Sequence, residues 1–332
     1  MSGEENFRKQ LDWLLHSDDA SVRYLALVDL SSRNDRDVDV VNCRKSITHG
    51  KRVKILLSGQ QDDGGFSVHP YRKWTGSHWR LVSLVNLAAP RDNAVMLRAA
   101  ELELNWLYGT GKRRFGRNQN GYVKMHASVY GNALGVLSYM GLADDPGTTL
   151  ILNLILDAQW PDGGWNCDGR PGASHSSFHE SLATLWGLVM HDKAVGNRKV
   201  KMAIDKACEL CLSHRIFRSH TTGQIISREW LKLRYPTYWH YNFLEAMRVV
   251  SLAGKAKDPR MSETLDILES SRHSDGFWHA QGYYWRPAKS HYLPGSGIGP
   301  CVDVVDWGRD GPNEMITLNA LRVLKAAGRA RF

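Results

Sequence analysis

The sequence predicts an all-α fold, an α/α toroid of about five to six helical hairpins, and three observations point there. The first is a turn phrase that recurs after helical stretches. It reads GQQDDGGF at 59–66, AQWPDGGW at 158–165 and SRHSDGFW at 271–278, with weaker copies RNQNGY at 117–122 and SHTTGQI at 219–225. One phrase repeated along a chain marks a repeat architecture. The second is that the helical segments fall into two classes, one moderately amphipathic and one apolar nearly all round, as an outer and an inner ring would be. The third is the near absence of strand-period alternation.

The elements follow in chain order. FRKQLDWLL (7–15) and SVRYLALVDLS (21–31) form a helical pair, with Ser17-Asp18-Asp19 supplying the cap between them. Residues 1–332 read as one toroid domain, in which the N-terminal pair within 1–45 completes the ring. A helix near 40–58 leads into the first turn phrase and then HWRLVSLVNLAA (78–89). NAVMLRAAELELNWLYG (93–109) is an amphipathic outer helix, and SVYGNALGVLSYMG (128–141), rich in small residues, is an inner one. The outer/inner pairing repeats as TTLILNLILDAQW with SSFHESLATLWGLVM, VKMAIDKACELCLSH with TYWHYNFLEAMRVVSLAG, and MSETLDILESSR with GPNEMITLNALRVLKAAG. Segments 110–127, 166–176, 214–236 and 279–311 are irregular, precede inner helices and gather at one end. In the turn phrase the glycines, Gly164 among them, are expected at positive φ, and the following aromatic is expected to pack under the next outer helix. Its aspartate is structural.

Composition narrows the function classes. With 42% hydrophobic residues in 332, a large core is available. No run of about 18 apolar residues exists, so no membrane span is expected. The start MSGEENFRKQ is not a signal peptide, and five cysteines without framework spacing fit a reducing, cytoplasmic setting. Cys208 and Cys211 read as buried helical thiols. A net charge of +9 favours anionic partners such as phosphorylated substrates, and Lys112-Arg113-Arg114 with Arg117 is the local basic cluster. There is no nucleic-acid recognition motif and no continuous basic stripe. The expected partner is a small-molecule substrate; the sequence leaves the oligomeric state open.

The repeat phrase and the alternation of inner and outer helices resemble the α/α toroid of squalene–hopene cyclases and protein prenyltransferase beta subunits. SDDASVRYLALVDL, WPDGGWNCDGRPGASHSSFHESLATLWGL, YPTYWHYNFLEA and VVDWGRDGPNEMITLNALRVL are similar to short bacterial single-toroid proteins labelled squalene-cyclase-like. The resemblance covers nearly the whole chain and implies a terpenoid cyclase or transferase type of activity, an isomerase, lyase or transferase. Three departures bear on it. The family's Asp-x-Asp-Asp acid is missing, Asp303-Val304-Val305-Asp306 being the nearest string. Asp62-Asp63 sits in the structural turn rather than on a magnesium-binding helix. Ser177-Phe178-His179 matches the zinc-binding His phrase of prenyltransferases, but MHASVYGNAL lacks the Asp-x-Cys that would complete it.

Aligning the inner helices on their apolar pattern puts His78, Tyr130, His179, His240 and Glu314 at one first-turn position, with Arg23 added by the N-terminal pair. Helix N-termini around a ring suit anions. His179, His240 and Glu314 are a possible set of two histidines and a carboxylate for a divalent metal (zinc or magnesium), or an acid/base group, with His78 beside it. The plain alternative is capping and loop hydrogen bonding. Cys167, Asp168, Asp306, Trp307, Trp79 and Tyr241, together with Arg23 and Tyr130, are the candidate substrate contacts. Three functions are consistent with this pattern. One is an enzyme acting on an isoprenoid or other apolar, anionic-ended molecule. The others are a metal- or His-assisted hydrolase, lyase or isomerase on a polar small molecule, and a non-catalytic scaffold binding lipid or protein.

Overall fold

The computed structural model describes residues 5–111, 115–287 and 301–332. The basic triplet Lys112-Arg113-Arg114 and part of segment 279–311 lie outside them. The chain is all-α, with short parallel strand pairs. The helices are α1 (Arg8–Leu15), α2 (Ala20–Leu25, continued by a π turn Ala26–Leu30), α3 (Val38–Ser46), α4 (Lys51–Leu57), α5 (Ser77–Asn86), α6 (Ala94–Gly111), α7 (Ala127–Tyr139), α8 (Pro146–Asp157), α9 (Phe178–Val195), α10 (Arg198–Ser213), α11 (Phe243–Leu252), α12 (Ser262–Ser270) and α13 (Glu314–Ala326).

The two helix classes take the places their patterns require. α7, α9 and α13 are buried around nearly their whole circumference. α10 buries one stripe, Val200, Ala203, Ile204, Ala207, Cys208 and Cys211, at helical spacing. Cys208 and Cys211 are free, buried thiols, and burial pushes both up in pKa, Cys208 to about 12. Around the ring α5 packs on α7, α7 on α9, α9 on α11, α11 on α13 and α13 on α2. α2 and α5 then share the lining of one cavity. The α7–α9 seam is the closest. A side chain at Gly187 would strike the Gly131 carbonyl at 2.0 Å, and one at Gly135 would strike Trp186 at 2.5 Å. Small residues on those helices therefore set how near the inner ring can draw together.

The turn phrase joins each hairpin to the next outer helix. Its first glycine has positive φ in every full copy: Gly64 at 85°, Gly163 at 97° and Gly276 at 93°. In the first copy Gln60 Nε2 donates to Gly64 O (3.0 Å) and to Val95 O (2.7 Å) on α6. In the second, Gln159 Nε2 donates to Gly163 O (2.8 Å) and Ala203 O (2.9 Å) on α10. The third copy has Arg272 where the others have glutamine. There α1 supplies the donors instead, Lys9 Nζ to Asp275 O (2.8 Å) and Gln10 Nε2 to Gly276 O (2.6 Å). The same junction carries the chain ends. β1 (Glu5–Asn6) pairs in parallel with β4 (Ala330–Arg331), and Phe7 packs on Trp278 at 5.9 Å.

Two sequence expectations are corrected. Positive φ falls on Gly163 and not on Gly164, whose restriction is spatial: an added Cβ would meet Ser181 Oγ at 2.3 Å. The aromatic secures its own hairpin rather than the next outer helix, because Trp165 Nε1 donates to Ile155 O (2.8 Å) and Trp278 Nε1 to Leu268 O (2.8 Å). Gly163→Ala should cost about 1–3 kcal/mol, since it forces an L residue to positive φ and a Cβ to 2.2 Å from Lys206 O. Urea titration checks this, and Gly169→Ala, with open space around it, should be near neutral by the same measurement.

Candidate functional site

Helix caps fix where each inner helix begins, and they do not follow the apolar alignment. Ser177 caps α9, Asn242 caps α11 and Asn313 caps α13, each side chain accepting a first-turn N–H. His78 and His179 are thus second residues of their helices and Glu314 is a first residue. His240 lies two positions before the Asn242 cap. The expected shared register does not hold.

The residues therefore separate. His78 faces outward to α6, where its Nδ1 lies 2.5 Å from Glu103 Oε1, both side chains wholly buried. It belongs to the seam between inner and outer rings and not to a cavity mouth. Glu314 accepts from Ser17 Oγ and from Arg52 Nη2 (3.1 Å), while Arg52 Nη1 reaches Asp19 (3.0 Å). Arg23 Nη1 donates to Ser17 O in that cluster. The ligand atoms of His179, His240 and Glu314 do not gather within 4.8 Å of one another, so that metal set is not formed. The reason is local: Glu314 is already held by a guanidinium and a hydroxyl.

Among the candidate contacts, Tyr130 is buried, with Phe115 edge-on to it at 5.6 Å. Trp79 meets Trp74 edge-on at 4.8 Å. Tyr241 is fully buried and its hydroxyl donates to Ile216 O (2.5 Å). Asp168 is paired with Arg170, and Asp306 accepts from Gly308 N (3.0 Å). Trp307 is buried and its Nε1 donates to Asp303 Oδ2 (2.9 Å).

His179 and His240 do stay together, with ring centroids 6.3 Å apart. The Tyr241 N–H donates to His179 Nδ1 at 2.9 Å, so the neutral ring carries its proton on Nε2. His240 Nδ1 lies 3.1 Å from Thr237 O, which only accepts, so Nδ1 carries the proton and Nε2 is the open acceptor. Burial lowers both rings in pKa, His240 to about 3. His240 is stacked between Trp239 (4.1 Å) and Tyr284 (3.6 Å).

These histidines stand at a plug in the bore formed by Tyr235–His240. Tyr238 stacks flat on Trp74 at 4.0 Å, and its hydroxyl donates to Asp303, on β3 (Cys301–Asp303), which pairs with β2 (Trp285–Pro287). Beyond the plug lies a small compartment of about 30 Å³ with a polar lining that includes Ser83, Asn132, Glu245, Arg248 and Asn319. The Asn132 amide nitrogen is buried there without a hydrogen-bond partner. A second compartment of about 590 Å³ shares Asn86, Trp186, Arg248 and Arg322 with the first, so the two are successive parts of one bore. The larger one sits at the C-terminal ends of the inner helices, opposite the expected mouth. Its walls include Leu25, Val28, Val85, Met190, Leu252 and Val323, with Arg248, Arg322 and Lys325 outnumbering Asp29. A separate recess of about 840 Å³ lies on the helix-start side, beside Tyr71, Lys73 and Arg286.

One cluster was not legible beforehand. His126, at the cap position of α7, meets Cys167 and Glu180, whose ligand atoms all lie within 4.8 Å of one another. Hydrogen bonding to the Cys167 thiol and then to Glu180 raises His126 to about 10. Cys167 is a candidate from its place after the Trp165 turn, whereas Glu180 is not among the residues the sequence singles out. His126 carried no signal.

No family model matches the chain, and no curated protein matches it. Among solved structures it is similar to a type II terpene cyclase from Scytonema in complex with geranylgeranyl dihydroxybenzoate, at 13% identity and a TM-score of 0.30, over 84% of this chain and 96% of that one. The fold class rests on the helices described above. Among the described residues no helix is long and apolar enough to cross a membrane.

Asp303 gives this region a pH signature. Burial lifts its carboxyl from 3.8 to about 6, so the fold favours the protonated form. That contribution is complete below pH 3.8 and is lost as the pH rises through 6. Its size is about 2–3 kcal/mol. Chemical unfolding between pH 4 and 7 should show this decline, and Asp303→Asn, which keeps an acceptor for Tyr238, should flatten it.

Proposed function

We propose that this chain is an enzyme of terpenoid cyclase or prenyltransferase type, holding an apolar or amphipathic small molecule in its bore. The observation that carries the reading is the 590 Å³ compartment, walled by aliphatic side chains and bordered by Arg248, Arg322 and Lys325. An isoprenoid chain suits such walls through the hydrophobic effect, and an anionic end suits the cations. Glu245 already neutralises part of Arg248 (2.5 and 2.8 Å), and Asp29 part of Arg322 (2.8 Å). Burial lowers Lys193 and Lys325 in pKa, with Arg248 adding to the effect at Lys193 and Asp29 opposing it at both.

The acid–base part falls to His179 and His240. One neutral ring offers an N–H and the other a lone pair. His240 Nε2 takes a substrate proton and returns it at another carbon, while the His179 Nε2–H stays on its ring and donates a hydrogen bond to the charge that develops, so an isomerisation leaves the protein's proton count unchanged. Because His240 stays neutral well below pH 6, it serves as acceptor at physiological pH. Glu314 is left out of this role by its bonds to Ser17 and Arg52.

A second reading, chemistry on a polar small molecule, is favoured by one observation: the small compartment is polar and Asn132 has a buried, unpartnered donor. Thermal shift assays separate the two. Farnesyl or geranylgeranyl diphosphate should stabilise the protein, whereas stabilisation by short polar acids alone would overturn the isoprenoid reading. His179→Asn keeps an acceptor near the Nδ1 position for the Tyr241 N–H but has no Nε2–H. It should lower turnover of any substrate found by roughly 10²–10⁴-fold with the melting temperature nearly unchanged. Unchanged turnover would remove His179 from the chemistry.

A further inference from the structure

The cluster of His126, Cys167 and Glu180 brings together three side chains from three separate elements: the start of α7, the loop after Trp165, and the first turn of α9. We propose that these residues form a zinc site with three protein ligands and a fourth position open to water or to an anionic oxygen or sulfur.

Spacing fits a metal and does not fit a proton relay through the imidazole. Tetrahedral zinc holds nitrogen, oxygen and sulfur at about 2.0–2.3 Å, which places neighbouring ligand atoms about 3.3–3.8 Å apart. His126 Nδ1 and Glu180 Oε1 are 3.7 Å apart, and every pair in the cluster lies within 4.8 Å. A Cys–His–Glu proton relay would look different. The imidazole would stand between thiol and carboxylate, separating sulfur from oxygen by well over about 6 Å. The compact triangle excludes that arrangement. A mixed nitrogen, sulfur and carboxylate set also selects zinc over magnesium or calcium, which favour all-oxygen shells.

The surroundings hold the ligands in place. The Ser128 N–H donates to Glu180 Oε2 at 2.7 Å, leaving Oε1 for His126. The Met125 N–H donates to Asn166 O at 3.0 Å, which ties the residue before His126 to the residue before Cys167. Asn166 also braces the loop, its Nδ2 donating to His175 O (2.7 Å) and its Oδ1 accepting from Asp168 N (2.9 Å). Such outer contacts orient metal ligands. Glu180 is buried while the His126 side chain is 75% exposed, so the site is reached from solvent. Tyr71 borders it closely enough to feel the charges of Glu180 and Cys167. His179 precedes Glu180 on α9 and feels its charge, while its ring turns to Tyr241 and Trp239. The site itself stands whether or not the bore takes an isoprenoid.

The test is cobalt(II) titration of metal-stripped full-length protein, followed by absorption. One equivalent should bind and give a thiolate-to-cobalt charge-transfer band with tetrahedral visible bands. Cys167→Ser should lose the charge-transfer band, and His126→Ala, a substitution at an exposed position, should weaken uptake by at least tenfold. Chelator should lower the melting temperature of the wild type, zinc should restore it, and neither should move Cys167→Ser. No stoichiometric uptake by the wild type would overturn the proposal. So would the same spectrum in Cys167→Ser, which would place the ion elsewhere, for example at His273, Asp275 and His279.

Discussion

The ring depends on one joint, the short turn whose first glycine has positive φ and whose carbonyls are taken by a side chain also bonded to, or borne by, the next outer helix. Gln60 and Gln159 each span two carbonyls, one in the turn and one on the following outer helix. Lys9 and Gln10 of α1 do the same work for the last turn. Without that joint a hairpin would have no fixed angle to its neighbour, and a closed ring needs each angle to be right. The exchange of partners at the third copy makes the first helix of the chain the neighbour of the last hairpin.

The bore's character follows from the ring. The inner helices, packed closely where Gly131 and Gly187 face each other, leave a narrow channel. One end of it is filled by Tyr235–His240, held through Tyr238 on Trp74 and Asp303. Space remains at the other end, where helix C-termini carry partial negative charge. The cations there, Arg322 and Lys325 of α13 with Arg248 of α11, complement those dipoles, Lys325 Nζ donating to Asp29 O (2.8 Å) and Leu30 O (2.7 Å).

The ring was legible in the sequence because its joint repeats, and repetition survives where single residues mislead. Outer and inner helices were legible because burial on one side or on all sides dictates composition. The candidate site was less so. The apolar pattern says which residues face inward but not where the first turn begins, and a single cap decides that. Asn242, by accepting from Glu245 N, starts α11 three residues after His240. His78 looked like a mouth residue, yet its partner is Glu103, a carboxylate on the otherwise apolar face of α6. Within segment 110–127 nothing marks His126, because its partners Cys167 and Glu180 lie 41 and 54 positions away and only the ring brings them near. Non-local side-chain meetings of this kind leave no periodic trace.

The central claim is that the compartment of about 590 Å³ in the bore is where a ligand sits. Leu252, at the end of α11, lines it away from the histidines and from the turn joints. Equilibrium dialysis of radiolabelled geranylgeranyl diphosphate against wild type and Leu252→Trp tests it most directly. The account predicts saturable binding at one site per chain in the wild type and its loss in the variant, at equal thermal stability. Equal binding by both proteins would contradict it.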